Sequence, residues 1–330
     1  MIQWAKNIPS YQDHTPSLRD SEGGQRQQRT WLAYDKKSGA FSWGELPCSR
    51  VLTEDDVTAL IITYRRSALL RASLDGLLAG TVVPSRILVS EGSGDQNARN
   101  QIVAMMQDYP IRLLPTPILG TITGNRNYLI RSCDTELALL MDDDIRIHPS
   151  FLERALDLIN NGAGDIVTAF YSFANHEAWF TVRGHWRRRL ADEPQAASLS
   201  TLLAPTELLR EIPQDENLIY GYEEADFSLR LSPRTAVSLL ECPTEDLSNR
   251  TTIGLSSVEK RQRADSARVF VSMKRYWGNH KMMARFFVIE VTANVMRRRR
   301  PLPKAVVARQ WRTVAIKLLQ AAPWPWNELS

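Results

Sequence analysis

The sequence predicts an α/β fold, in which a Rossmann-like, mostly parallel sheet is flanked by helices. Three observations lead to this prediction. Short apolar segments with the length of buried parallel strands occur at 57–62, 86–90, 137–141 and 165–170. Segments with helical spacing lie between them, and strands that alternate with helices indicate βαβ units. Polar and charged loops follow three of the strands, and right-handed crossovers bring those loops to one edge of the sheet.

We expect the chain of 330 residues to have three parts. Residues 1–56 form an N-terminal β extension, in which two aromatic segments around a Lys-Ser-Gly turn predict a hairpin at 31–46. Residues 57–255 form the main domain. Residues 256–330 form a basic and aromatic helical tail, because apolar side chains recur at helical spacing at 265–296 and 303–320.

The elements of the main domain are expected to alternate along the chain. Ser67 is the candidate N-cap of a helix that runs through Gly80, because leucines recur on one face after it. The segment 171–205 is expected to be irregular, and 218–231 to be a turn entering a helix. The other expected elements are a helix near 95–108, a strand at 111–114, a helix ending near 132 and a helix at 149–160.

Three consecutive carboxylates end the apolar strand at 137–141, namely Asp142, Asp143 and Asp144. One residue separates Asp142 from Asp144, so in an extended backbone both side chains point to the same side. Mg²⁺ and Mn²⁺ prefer carboxylate oxygens and accept phosphate oxygens as further ligands. We therefore expect a divalent cation on Asp142 and Asp144. The alternative is a solvated acidic turn before the helix that follows Pro149.

Composition excludes several classes of protein. At 43% hydrophobic and 24% charged residues the chain can bury a large core. No apolar run is long enough to span a bilayer, and the N-terminus lacks the apolar core of a signal peptide. Cys48, Cys133 and Cys242 lie far apart, which argues against a disulfide framework and for a reducing compartment. We expect a cytoplasmic protein.

The net charge of +4 is unevenly distributed. Basic runs occur at 187–189 and 297–300, and tryptophans accompany the second run at 311, 324 and 326. A basic, aromatic C-terminal third favours an anionic partner. The partner could be an anionic membrane surface or nucleic acid. We expect peripheral binding to an anionic membrane surface.

Several short motifs occur in one order along more than half of the chain. They are the strand and loop at 59–66, Val-Ser-Glu-Gly-Ser-Gly-Asp at 89–95, Asn-Arg-Asn at 125–127, the three aspartates at 142–144, and Gly-Tyr-Glu-Glu-Ala-Asp at 221–226. With these motifs, the stretch from Val57 to Asn249 resembles the family 2 inverting glycosyltransferases, whose nucleotide-sugar-binding fold is called GT-A. Each motif is weak alone, and their order makes the resemblance specific.

The resemblance implies a metal-dependent transfer of a sugar, with inversion, from a nucleotide-diphosphate sugar to a glycan or a lipid-linked acceptor. It also implies a role in the synthesis of a cell-surface polysaccharide or glycolipid. Asp144 ranks above Asp142 as the metal ligand, and Arg126 meets the diphosphate or the donor sugar. The other expected donor-binding residues are Thr63, Tyr64, Arg65, Glu91, Ser93, Asp142 and Asp143.

Glu224 is the expected general base, which takes the proton of the acceptor hydroxyl. Glu223 is the second candidate, and Asp226 is expected at the helix start or at the acceptor. The chain departs from the family in having glutamates at 91 and 224, where aspartates are usual. It also lacks a histidine downstream that often helps to hold the metal, a place that Asp246 or Asn249 could take.

Two other functions remain open at this point. Nucleotidyl transfer onto a sugar phosphate also uses acidic metal ligands on such a sheet, but the loop after the first strand lacks the glycines it requires. A catalytically degenerate nucleotide fold could act as a basic adaptor that binds lipid or nucleic acid. The sequence specifies neither the sugar, the base and the acceptor nor the oligomeric state.

Overall fold

The structure is a computed structural model. It describes residues 30–35, 40–45, 51–115, 121–162, 164–171, 178–180, 186–188, 197–218, 221–231, 237–248 and 257–297. Strands β1 (Thr30–Asp35) and β2 (Ala40–Glu45) pair antiparallel as a separate two-stranded sheet. This pairing confirms the hairpin predicted in the N-terminal extension. The helix predicted at 303–320 lies outside the described residues.

The domain that follows alternates strands and helices, as predicted. Its elements in chain order are β3 (Val57–Thr63), α1 (Ser67–Leu78), β4 (Arg86–Glu91), α2 (Gln96–Met105), β5 (Ile111–Leu113), α3 (Ile122–Ser132), β6 (Leu137–Asp142), β7 (Ile145–Arg146), α4 (Phe151–Asn160), β8 (Ile166–Tyr171), β9 (Ala178–Phe180), β10 (Trp186–Arg188), β11 (Thr201–Pro205), α5 (Thr206–Glu211), α6 (Glu223–Leu231), β12 (Val237–Asp246), α7 (Ser257–Arg275) and α8 (His280–Arg297).

Eight strands form one twisted sheet in the order β5-β4-β3-β6-β11-β8-β12-β7. Strands β3 to β6 of this sheet run parallel, as do β8 and β12, whereas β11 and β7 are antiparallel to their neighbours. Thr63 is level with Glu91, and Ile62 is level with Asp142. The loops after β3, β4 and β6 therefore open on one edge, which confirms the mostly parallel sheet and its chemically rich edge.

Two predictions about the later part of the chain are wrong. The segment 171–205 is not wholly irregular, because it contains β9, β10 and the buried central strand β11. Strand β11 was not predicted because it has only five residues and ends in a proline. The helix expected at 265–296 is two helices, with Gly278 in the left-handed region (φ 81°) between them.

The predicted N-cap is also wrong. Arg66, not Ser67, stands at the N-cap of α1, and it makes no side-chain capping bond. The Ser67 hydroxyl instead donates to Gln101 Oε1 at 2.5 Å. A capping pattern is a local property of the sequence. It does not include the tertiary contacts of Arg66, which fix the loop before the helix.

The sheet is covered by apolar side chains on both faces. Successive residues of β6 point to opposite faces, so Leu139 packs with α1 and α4 while Leu140 packs with α3 and α6. A third cluster joins α7 and α8 to Leu218 and Ala225. Within the described residues, no helix has the length and apolarity to span a bilayer.

Candidate active site

The acidic residues after β6 are tied to the loop after β3. Asp143 is completely buried and accepts hydrogen bonds from the Thr63 hydroxyl at 2.5 Å and from Arg66 Nε at 3.2 Å. Arg66 Nη2 also donates to Asp143, and Arg66 Nη1 donates to Asp144 Oδ2 at 2.7 Å. One guanidinium thus binds two neighbouring carboxylates, and the hydroxyl of Thr63 is directed to Asp143.

The expectation that Asp142 and Asp144 lie in one extended segment is wrong. The strand ends at Asp142, and the chain turns at Asp143 and Asp144. The carbonyl of Asp144 accepts from Leu247 N at 2.8 Å, which places the turn beside the end of β12. Burial and the charges of Asp142 and Asp246 raise the pKa of Asp144, whereas Arg66 lowers it. The carboxylates of Asp142, Asp144 and Asp246 therefore interact electrostatically. Asn249, the other candidate for the missing ligand, lies outside the described residues.

These carboxylates fit a cation that takes most of its ligands from a bound molecule. Among the residues that the structure describes, no three His, Cys, Asp or Glu side chains are grouped closely enough to hold a metal. Mg²⁺ is commonly held by one or two carboxylates together with substrate phosphates. Asp142 and Asp144 are each paired with an arginine, so they would hold a cation only together with oxygens of a bound molecule.

Arg126 is the centre of the second half of the site. Its side chain is 6% exposed, and its Nη2 donates to Asp142 Oδ1 at 2.5 Å. It also interacts with the charges of Glu223 and Glu224. Within the described residues, Arg126 Nε and Nη1 and Glu223 Oε2 are buried without a hydrogen-bond partner. Buried donors and acceptors are normally satisfied, so these atoms indicate a place for a ligand rich in oxygen.

Glu224 lies at the start of α6, where the chain enters from Gly221 (φ 82°) and Tyr222 (φ 66°) in the left-handed region. Its Oε1 accepts from Ser198 Oγ at 3.2 Å and from Leu199 N at 3.0 Å. Burial and the charge of Glu223 raise the pKa of Glu224 to about 7, while Arg126 opposes the shift. Burial likewise raises the pKa of Glu223. A carboxyl with a pKa near neutrality suits general-base work.

The predicted nucleoside residues form a second, closely connected group. Glu91 is buried and accepts from Ser93 N at 3.1 Å and from Arg65 N at 3.2 Å. Arg65 has φ 56°, and its guanidinium lies 3.2 Å from Asp95 and 5.8 Å from the Tyr64 ring centroid. A non-glycine residue in this strained conformation is commonly found where a site holds the loop in place.

Asp226 lies apart from the groups described above. Its carboxylate is buried and paired with Arg230 at 2.9 Å on its own helix and with Lys274 at 2.5 Å on α7. The backbone N–H of Asp226 donates to the carbonyl of Tyr222, within the helix start that was predicted. Its Oδ2 thus forms an ion pair within α6, and its Oδ1 connects α6 with α7.

Sequence reasoning missed Arg66, Ser198 and Lys274. Arg66 lies in the loop after β3, as Arg65 does, so its position could have indicated a role in the site. Ser198 lies in a segment without a motif. Lys274 stands seven residues after Ala267, with Phe270 and Val271 between them, so it shares the apolar face of a helix.

Comparison with known proteins agrees with this geometry. Residues 58–206 match the family model described as Glycosyl transferase family 2. The structure of GalNAc-T7 with UDP, GalNAc and Mn²⁺ superposes with a TM-score of 0.55 at 10% identity, over 86% of this chain and 60% of that chain. Its similarity supports the fold alone. A search of curated proteins finds no match.

Two other solved structures resemble the chain more weakly. Residues 1–349 of TarS from S. aureus, in complex with UDP-GlcNAc, give a TM-score of 0.45 at 13% identity, over 81% of this chain and 92% of that chain. The mannosyltransferase PcManGT from Pyrobaculum calidifontis, in complex with GDP-Man and Mn²⁺, gives a TM-score of 0.48 at 13% identity, over 83% and 72%.

The protein is a glycosyltransferase with the GT-A fold. More particularly, residues 58–206 form a glycosyl transferase family 2 domain. The resemblance that the ordered motifs indicated is thus confirmed, and the reading as an adaptor without enzymatic activity is not retained.

Replacing Arg66 with Met should destabilise the fold. The change leaves Asp143 as a buried carboxylate without its cation, and breaking a buried ion pair in this way typically costs about 3–5 kcal/mol. Equilibrium unfolding in urea measures the loss. Arg65→Met, an adjacent arginine whose side chain is 57% exposed, is the matched control and should change the unfolding free energy little. Equal stability of the two variants would contradict the role of Arg66.

Proposed function

We propose that the protein transfers a sugar, with inversion, from a nucleotide-diphosphate sugar to a glycan or lipid-linked acceptor in the synthesis of a cell-surface polysaccharide or glycolipid. One observation carries the proposal. Arg126 donates to Asp142 and interacts electrostatically with Glu223 and Glu224, while two of its guanidinium nitrogens, Nε and Nη1, are buried without a hydrogen-bond partner in the described residues. Such an arrangement can bind an anionic, oxygen-rich donor and hold a base beside it.

The donor would lie across the two halves of the site. Tyr64, Arg65, Glu91 and Ser93 line the nucleoside end, and Arg126 contacts oxygens of the diphosphate or the sugar, because a guanidinium can grip oxygens in pairs. Asp142 and Asp144 would hold Mn²⁺ or Mg²⁺. When bound, the cation supplies positive charge to the leaving diphosphate. The GalNAc-T7 structure, which shares the fold, holds UDP, GalNAc and Mn²⁺.

The chemical step follows from the position of Glu224. Its carboxylate accepts the proton of the acceptor hydroxyl while the hydroxyl oxygen forms a bond to the anomeric carbon. The bond from that carbon to the phosphate oxygen breaks at the same time, so the nucleoside diphosphate leaves with the electron pair. Attack opposite the leaving group inverts the anomeric centre. Ser198 Oγ and Leu199 N orient Glu224 through hydrogen bonds to Oε1.

The acceptor is proposed to be presented at the cytoplasmic face of a membrane. Helix α8 exposes Phe287 (40%) and Val288 (67%), and Lys281 and Arg285 on the same helix are also exposed. Apolar side chains beside cations match the interface of an anionic bilayer. The same electrostatic attraction could act on nucleic acid, but exposed aliphatic side chains favour lipid.

A thermal-shift panel of UDP, GDP, dTDP and CMP, each with and without Mn²⁺, tests the donor site. One diphosphate with Mn²⁺ should stabilise the protein by about 2.7 kcal/mol at about 100 times its dissociation constant. Mn²⁺ alone should give little shift, because the protein offers only two carboxylates. Asp144→Asn should abolish the metal-dependent part, and Asp108→Asn, at a carboxylate that is 63% exposed, should preserve it. The full shift with Mn²⁺ and no nucleotide would refute the proposal that the protein and the diphosphate together coordinate the cation.

The rate should depend on the protonation of Glu224. Because the base acts as a carboxylate and the pKa of Glu224 is about 7, kcat/KM should rise with pH through about 7 and level off above it. Glu224→Gln should lower kcat by about 10²–10⁴-fold and leave nucleotide binding nearly unchanged. Glu207→Gln, an exposed glutamate on α5, is the control. A Glu224→Gln enzyme that turns over at the full rate would exclude Glu224 as the base.

Vesicle sedimentation tests the membrane surface. The protein should bind vesicles that contain anionic lipid and not neutral ones, with binding reduced by added salt. The double change Phe287→Ser and Val288→Ser should weaken binding, whereas Val103→Ser, at a valine that is 50% exposed on α2, should not. Absence of binding at low salt would remove the membrane proposal without touching the donor site.

A further inference from the structure

Lys274 lies buried in a region that the sequence presents as a basic surface. Its side chain is 3% exposed, although it belongs to α7 in the C-terminal helical part. The ammonium donates to Asp215 Oδ2 at 2.7 Å and to Asp226 Oδ1 at 2.5 Å. It also lies 5.7 Å from the ring centroid of Phe270. A buried ammonium is tolerated when carboxylates surround it in this way.

The two carboxylates belong to the two parts of the chain that place the general base. Asp215 lies in the segment between α5 and α6. Asp226 lies on α6, two residues after Glu224. Burial alone would raise the pKa of Asp215, but Lys274 and the hydrogen bonds from Asn217 lower it below its ordinary value. One ammonium therefore connects the approach to α6 with α6 itself.

Helix α6 is held from two sides. Its later residues Phe227 and Leu231 pack in the cluster that covers the sheet. Its first turn is entered through Gly221 and Tyr222 in the left-handed region. Packing at that end comes from α7, because Phe270 and Val271 share one buried cluster with Leu218 and Ala225. The contacts with α7 thus hold the end of the helix that carries Glu223 and Glu224.

We propose that Lys274 is a positioning residue for glycosyl transfer, which holds α6 so that the carboxylates of Glu223 and Glu224 face Arg126. The expected effect of Lys274 on kcat rests on the proposed function. Its expected effect on the position of α6 rests on the ion pairs alone. Lys274 contacts neither the donor nor the acceptor. It acts through Asp215 and Asp226, and so the C-terminal helical part is a component of the active site.

A matched pair of substitutions on α7 tests the proposal. Lys274→Met keeps the aliphatic stem and removes the ammonium. Arg268→Met removes an equally buried cation, which pairs with Glu290 on α8 and with Asp265 on α7. We expect Lys274→Met to lower kcat by about 100-fold, the order of loss that misplacement of a catalytic group by about 1 Å produces. The KM for the donor should stay within about threefold, and Lys274→Arg should recover part of kcat.

Hydrogen exchange gives a readout that does not depend on turnover. Amides of 221–231 should exchange faster in Lys274→Met and not in Arg268→Met. If the wild-type protein transfers no sugar, the proposed function fails, and the exchange result still decides the role of Lys274. Wild-type kcat together with unchanged exchange in Lys274→Met would overturn the proposal.

A second substitution covers the case in which Lys274→Met does not fold. Asp215→Asn removes one of the two partners and leaves the pair with Asp226 in place. It should increase exchange in 221–231 and lower kcat by a smaller factor than Lys274→Met. Unchanged exchange and wild-type kcat in Asp215→Asn would equally contradict a positioning role.

Discussion

The pairing of clustered carboxylates with two arginines, Arg66 and Arg126, is the constraint on which the site depends. The parallel strands direct the acidic turn, and the later helix α6, to one edge of the sheet, so like charges meet in a partly buried space. Such charges are tolerated only when paired. Arg66 serves Asp143 and Asp144, and Arg126 serves Asp142 and the two glutamates. The fold and the site therefore share the same ion pairs.

The three consecutive aspartates illustrate how one motif separates into different roles. The side chain of Asp142 is 27% exposed, that of Asp143 is 0%, and that of Asp144 is 17%. The middle residue is the most deeply buried, and it joins the acidic turn to the first loop through Thr63 and Arg66. The outer two keep contact with the solvent side, where a donor would lie. Arg66 thus holds the interior side of the acidic turn, while Nε and Nη1 of Arg126 have no hydrogen-bond partner among the residues that the structure describes.

The C-terminal helices are part of the domain that they follow. Helix α7 contributes Phe270 and Val271 to a cluster with Leu218 and Ala225, and its lysine is paired with carboxylates on both sides of the turn that precedes α6. The exposed face of α8 carries the apolar and basic side chains on which the proposed membrane contact rests. One helical pair therefore combines an inward packing function with an outward-facing surface.

The sequence by itself determined the strand and helix alternation, the edge of the sheet where the loops meet, and the choice of Arg126, Glu223 and Glu224 as candidate site residues. Periodicity and motif order are local properties, and parallel strands turn them into a common edge. Only the tertiary structure decided which aspartate is buried, which arginine pairs with it, and which carboxylates pair with Lys274. These outcomes depend on contacts between residues far apart in the chain, such as Arg66 with Asp143 and Lys274 with Asp226, and no local pattern encodes them.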